Sequence, residues 1–128
     1  MLSMTDDVLK QKHQKFLEQD FNFDLLRKEL DAESKMFGDA CAYPRFFKRG
    51  RAAKGRNYFE ATIEVKSALL KWGGKPTTSY EGHTIHRRII DGNLKDMAKE
   101  AFELILAAKR IAEIVTALEE TCVAHSDG

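Results

Sequence analysis

One periodic segment constrains the fold more than any other feature of the chain. Asn93, with Asp96 three residues on, has the chemistry of a helix N-cap followed by an acid in the first turn. From there Leu94, Met97, Ala101, Leu104, Ala108, Ile111, Val115, Leu118 and Cys122 recur at spacings of three and four. This predicts one helix over about 93–122. A second apolar row, Ala98, Phe102, Ile105 and Ala112, widens the stripe, so the helix needs more than one neighbour. At about 1.5 Å per residue it would be ~45 Å long. A domain of this size offers too few partner helices to cover both rows, and the surplus predicts a homodimer.

The same reading extends helices through the rest of the chain. Thr5 with Asp6 and Asp7 opens the first, in which Leu9, Phe16, Phe23, Leu30 and Phe37 repeat every seven residues. The polar run Asp20 to Asp24 fits either one bent helix or two shorter ones, with Asn22 or Asp20 capping the second. A central helix is predicted over 57–72, capped by Asn57. Tyr58, Ala61, Val65, Ala68 and Trp72 line one face of it, and Phe59, Ile63 and Leu70 line another. Gly73-Gly74, with a residue at positive φ, and then Pro76 would stop it. A short helix within 80–90 turns Ile85, Ile89 and Ile90 inward and ends at Gly92. The expected fold is all-α, an antiparallel four- or five-helix bundle with a long C-terminal helix, forming a single domain over 1–128.

No apolar run approaches the ~20 residues that a membrane-spanning helix needs, and the first residues lack the features of a signal peptide. A cytoplasmic protein with no membrane partner is expected. Cys41 and Cys122 lie far apart with no Cys-x-x-Cys spacing, which argues for reduced thiols and against a zinc site. Phosphate-loop, dinucleotide, nucleophile-elbow, zinc-protease and EF-hand motifs are missing from the sequence. Of the four histidines only His83 and His86 could form a pair on one helical face. They lack a third ligand, so neither a metal nor another cofactor is expected.

Charge gives the functional signal. The net charge is +1, yet from Arg45 to Arg88 there are eleven Lys and Arg against three acids. Six of these cations, Arg45, Lys48, Arg49, Arg51, Lys54 and Arg56, fall within twelve residues with no acid between Asp39 and Glu60. With Arg87 and Arg88 they form a candidate surface for nucleic acid, through phosphate contacts and counterion release, or for an acidic protein. Phe46 and Phe47 would anchor this segment or stack on unpaired bases. The candidate chemistry is a histidine, His83 or His86, moving a proton at a ribose hydroxyl while Arg56, Arg87 or Arg88 holds the phosphate.

From Arg56 to about Val115 the layout resembles the HEPN superfamily of small helical bundles. The resembling stretches are Arg56-Asn57-Tyr58-Phe59-Glu60-Ala61 opening a central helix, Lys66-Ser67-Ala68-Leu69-Leu70-Lys71-Trp72-Gly73-Gly74 closing it, the polar loop Lys75-Pro76-Thr77-Thr78-Ser79, a short helix and a long final helix. The resemblance implies a dimer that is either a metal-independent ribonuclease or a non-catalytic partner. The ribonucleases carry an Arg followed a few residues later by a His. Here Arg56-Asn57 is followed by no His between Tyr58 and Ile63, which implies a non-catalytic member, or one whose chemistry is rebuilt from His83 or His86.

The resulting expectation is a non-catalytic helical binding protein, dimeric, that meets RNA, DNA or an acidic protein through its basic middle. Two alternatives stand beside it: a metal-independent ribonuclease using His86 or His83 with arginines, and an adaptor that docks a partner on helix 93–122.

Overall fold

The computed structural model describes residues 5–49, 57–67, 71–72, 75–76 and 83–126. Among them the order is α1 (Asp6–Glu18), α2 (Phe23–Lys35), β1 (Ala42–Arg49), β2 (Tyr58–Val65), β3 (Lys71–Trp72), β4 (Lys75–Pro76), β5 (His83–Ile90) and α3 (Leu94–Ser126). The fold is therefore mixed α and β, and the expected all-α bundle is wrong. The central helix over 57–72 is replaced by β2 and β3, and the short helix within 80–90 by β5. Gly73-Gly74, and the positive φ expected there, lie outside the described residues. With the central helix gone, the bundle layout that the HEPN resemblance implied is not formed.

The physical reason lies in the side-chain period. In β2, Phe59, Ala61, Ile63 and Val65 alternate with Tyr58, Glu60, Thr62 and Glu64, a period of two that gives a strand one apolar face. In β5, Thr84, Ile85, Ile89 and Ile90 are β-branched, which favours a pleated over a helical backbone. The three long strands form an antiparallel sheet of order β1-β2-β5. β1 pairs with β2 from Ala42↔Val65 to Arg49↔Tyr58. Pro44, which has no N–H for the ladder, sits in β1 at the edge of the sheet, where the missing donor costs least. β3 and β4 form a separate pair.

The helical expectations at the two ends of the chain fare better. The N-terminal third is two helices, not one bent one. Thr5 Oγ1 accepts from Val8 N at 3.2 Å and Asn22 Oδ1 from Leu25 N at 2.8 Å, capping α1 and α2. Asn93 caps α3, accepting from Asp96 N at 2.9 Å while its amide donates to the Asp96 carboxylate at 2.8 Å. Gly92, at φ 112°, turns the chain from β5 into α3 and does not end a helix.

One core joins the layers. Leu9 and Phe16 of α1, Leu26 and Leu30 of α2, Phe59, Ala61 and Ile63 of β2, and Met97, Ala101, Phe102 and Ile105 of α3 are buried in a single cluster. Phe23 of α2 stacks on Phe59 at 4.8 Å, and Phe102 meets His13 and Phe16 of α1. Phe102 of α3 thus faces α1, while Ala112 packs with Ala42 and Val65 of the sheet and Leu104 and Ile111 border Ile63, so the stripe meets more than one layer within one chain. Of the three strands, α3 packs chiefly against β1, where α2 also packs, and it touches β5 least. The helical layer is offset toward β1. Among the described residues no helix is long and apolar enough to cross a membrane.

Candidate nucleic-acid interface and edge cleft

Because β1 and β2 pair to their ends, the basic run enters the sheet as one side of a hairpin. Tyr43, Arg45 and Phe47 alternate with the inward residues Ala42, Pro44 and Phe46, so a period of two sorts aromatic and cationic side chains onto the face away from the helices. Phe46 anchors the strand, edge-on to Phe59 at 6.2 Å. Phe47 lies on the other face, with the Arg45 guanidinium 4.7 Å over its ring. The Lys66 ammonium stands 5.1 Å over Tyr43 on that same face.

Thr62 lies at the centre of this outer face, opposite Arg45 on β1 and opposite Arg87 on β5. Two arginines far apart in sequence thereby stand roughly 10 Å apart, two inter-strand spacings. Each is held by a carboxylate of β2. Arg45 Nη1 donates to Glu64 Oε2 at 3.2 Å, and the Thr62 hydroxyl donates to the same oxygen at 3.1 Å. Arg87 Nε reaches Glu60 Oε2 at 3.9 Å. Glu64 and Thr62 are buried and the two arginines exposed, so the acids act as a foundation from which the guanidiniums reach solvent.

A register shift between Ile63 and Glu64 leaves Ile85 as the extra residue of β5, a bulge that keeps His83 and His86 on the same inner side of the sheet. Arg88, opposite Ala61, also faces inward, and its Nε donates to His86 Nε2 at 3.1 Å. His86 Nε2 is the acceptor of that bond. The two side chains border an open cleft of about 420 Å³ between β5 and α3, lined also by Ile63, Ile85, Glu103, Leu104, Ala107 and Ile111.

The candidate residues from the sequence are thus divided. Arg45 and Arg87 share the outer face, whereas Arg88, His86 and His83 belong to the inner side. Lys48 and Arg49 hold register positions opposite Phe59 and Tyr58. Arg51, Lys54 and Arg56 lie outside the described residues, so whether Arg56 shares a cleft with His86 is not described either. Sequence reasoning missed Tyr43, Thr62, Glu60 and Glu64, and the groove-lining Ile85 and Glu103. The alternation Tyr43-Arg45-Phe47 is the signal in the sequence that bears on this face. Among the described residues no group of three or more His, Cys, Asp or Glu could hold a metal. In comparison with known proteins the chain matches no family model, no curated protein and no solved structure.

Proposed function

We propose that the protein binds single-stranded nucleic acid through the β1–β2 hairpin and the outer face of the sheet. The placement of Arg45 and Arg87 on either side of Thr62, beside Phe47 and Tyr43, carries this reading. Phosphates attract guanidiniums through charge and hydrogen bonding, and unpaired bases stack on exposed guanidinium planes such as those of Arg45 and Arg87. The Glu64 carboxylate orients the Arg45 guanidinium in advance and so lowers the ordering cost of binding there. In the sequence Lys48, Arg49, Arg51, Lys54 and Arg56 follow Arg45 and add cations to the same segment.

Retention of a labelled single-stranded RNA or DNA 20-mer at rising salt tests the reading. Arg45→Ala with Arg87→Ala should weaken binding and flatten the log–log salt slope by roughly one and a half units. Absence of retention by the wild-type chain at low salt, or an unchanged slope in the variant, overturns it. Time-dependent cleavage of the RNA in chelator would replace it with the ribonuclease reading. The same reading includes a dimer, supported by the distal half of α3: Ile114 and Leu118 there are 59% and 54% exposed, and a second copy of the helix would cover them.

A further inference from the structure

The offset of the helical layer toward β1 leaves β5 as a sheet edge with little above it. Its eight residues span about 26 Å, and among the described residues no strand pairs with its outer side. An unpaired edge exposes a row of backbone donors and acceptors, and charges or a bulge are the usual protection against indiscriminate pairing. β5 has both, in Arg87, Arg88 and the bulge at Ile85, yet it also presents Ile85 and Ile89 at 50% and 52% exposure. An edge with apolar side chains and gatekeeping cations suits selective pairing.

The cleft supplies what an incoming strand would need. On one wall are Ile85, His86 and Arg88; on the other are Leu104, Ala107 and Ile111 of α3, with Ile63 as the floor. A sheet edge running beside a helix, with an apolar trough between them, is the geometry in which an extended peptide adds a strand and drops alternate side chains into the trough. Charge fixes the class of peptide. From His83 to Ile90 there are two arginines, two histidines and no acid, and among the described residues the Arg88 guanidinium donates through Nε, to His86. Glu103 lies across the cleft from them, so an acid is accepted only on the β5 side.

We propose that the groove between β5 and α3 binds an extended peptide as a fourth strand, with an acidic residue beside Arg88 and an apolar residue two positions away, over Ala107 and Ile111. The cleft lies on the inner side of the sheet, opposite the face of Arg45 and Arg87, and the proposal does not depend on nucleic-acid binding.

Selection from a display library of random 12-residue peptides on the full chain tests this. Enriched sequences should pair Asp or Glu with Ile, Leu, Val or Phe two positions apart. Methylating the peptide's backbone nitrogens should weaken binding at least tenfold at alternate positions only, the signature of a strand ladder. Ala107→Trp, which fills the trough, should lower affinity at least tenfold, and Arg88→Glu should redirect selection toward Lys and Arg. If Ala107→Trp fails to fold, Ile85→Lys at the exposed rim tests the opposite wall. The proposal is overturned by a lack of enrichment, by uniform tolerance of N-methylation, or by binding that survives the wall variants.

Discussion

His13 and Glu33 meet at 2.7 Å between α1 and α2, with 4% and 0% of their surface exposed, and the Phe102 ring stacks on the imidazole at 4.0 Å. Glu33 Oε2 and His13 Nδ1 have no hydrogen-bond partner among the described residues, so each side chain depends on the other. Replacing His13 by Leu strands the carboxylate and should cost about 3–5 kcal/mol, whereas His13→Leu with Glu33→Met should recover most of the loss. Urea unfolding of the three variants measures this. Lys109 binds the Asp6 carboxylate at 2.8 Å and that of Glu113 at 2.6 Å. Its hydrogen bond holds Asp6 below the ordinary carboxylate range, while the two acids hold Lys109 above the ordinary lysine range. A carboxyl lowered on folding stabilises the fold above its unfolded value and loses that contribution as pH falls through the folded one. An ammonium raised on folding stabilises below its unfolded value and loses that contribution as pH climbs through the folded one. Thermal melts across pH should therefore show Asp6→Asn with a flatter decline in acid and Lys109→Met with a flatter decline in alkali.

Between β5 and α3 the backbone depends on one residue. Gly92 holds φ 112°, and a Cβ there would meet nothing within 4 Å, so the cost of Gly92→Ala is conformational alone, about 1–3 kcal/mol. A melting temperature unchanged from wild type would sink that account. The elements at the chain ends were legible because their signals are local: a cap, an acid three residues on, and a spacing that repeats. The strands were not, because residues 58–65 satisfy two periods at once. Tyr58, Ala61 and Val65 fit a helix, and Phe59, Ala61, Ile63 and Val65 fit a strand. The choice between them is made by β1 and β5, which pair with β2 from both sides, and one segment's periodicity contains no record of its neighbours. The β-branched content of residues 83–90 was the warning. The basic patch was legible, since counting charges needs no fold, but its division between faces required the strand period.

Across the whole molecule, α3 runs 33 residues, about 50 Å, and its distal half is the only described part with two large, mostly exposed apolar residues one turn apart. Sedimentation at tens of micromolar should give a dimer for the wild type and a monomer for Leu118→Glu with Ile114→Glu; a monomeric wild type defeats the dimer. Changing Arg49, Arg51 and Lys54 together to Ala should lower the salt slope of nucleic-acid retention by about two units without altering the circular dichroism of the helices. The strand at the edge has one more property. Arg87 and Arg88 are adjacent in sequence yet stand on opposite faces of the sheet, so neighbouring codons specify two different surfaces. A lineage carrying this fold can revise one surface by a single substitution while the other is inherited untouched.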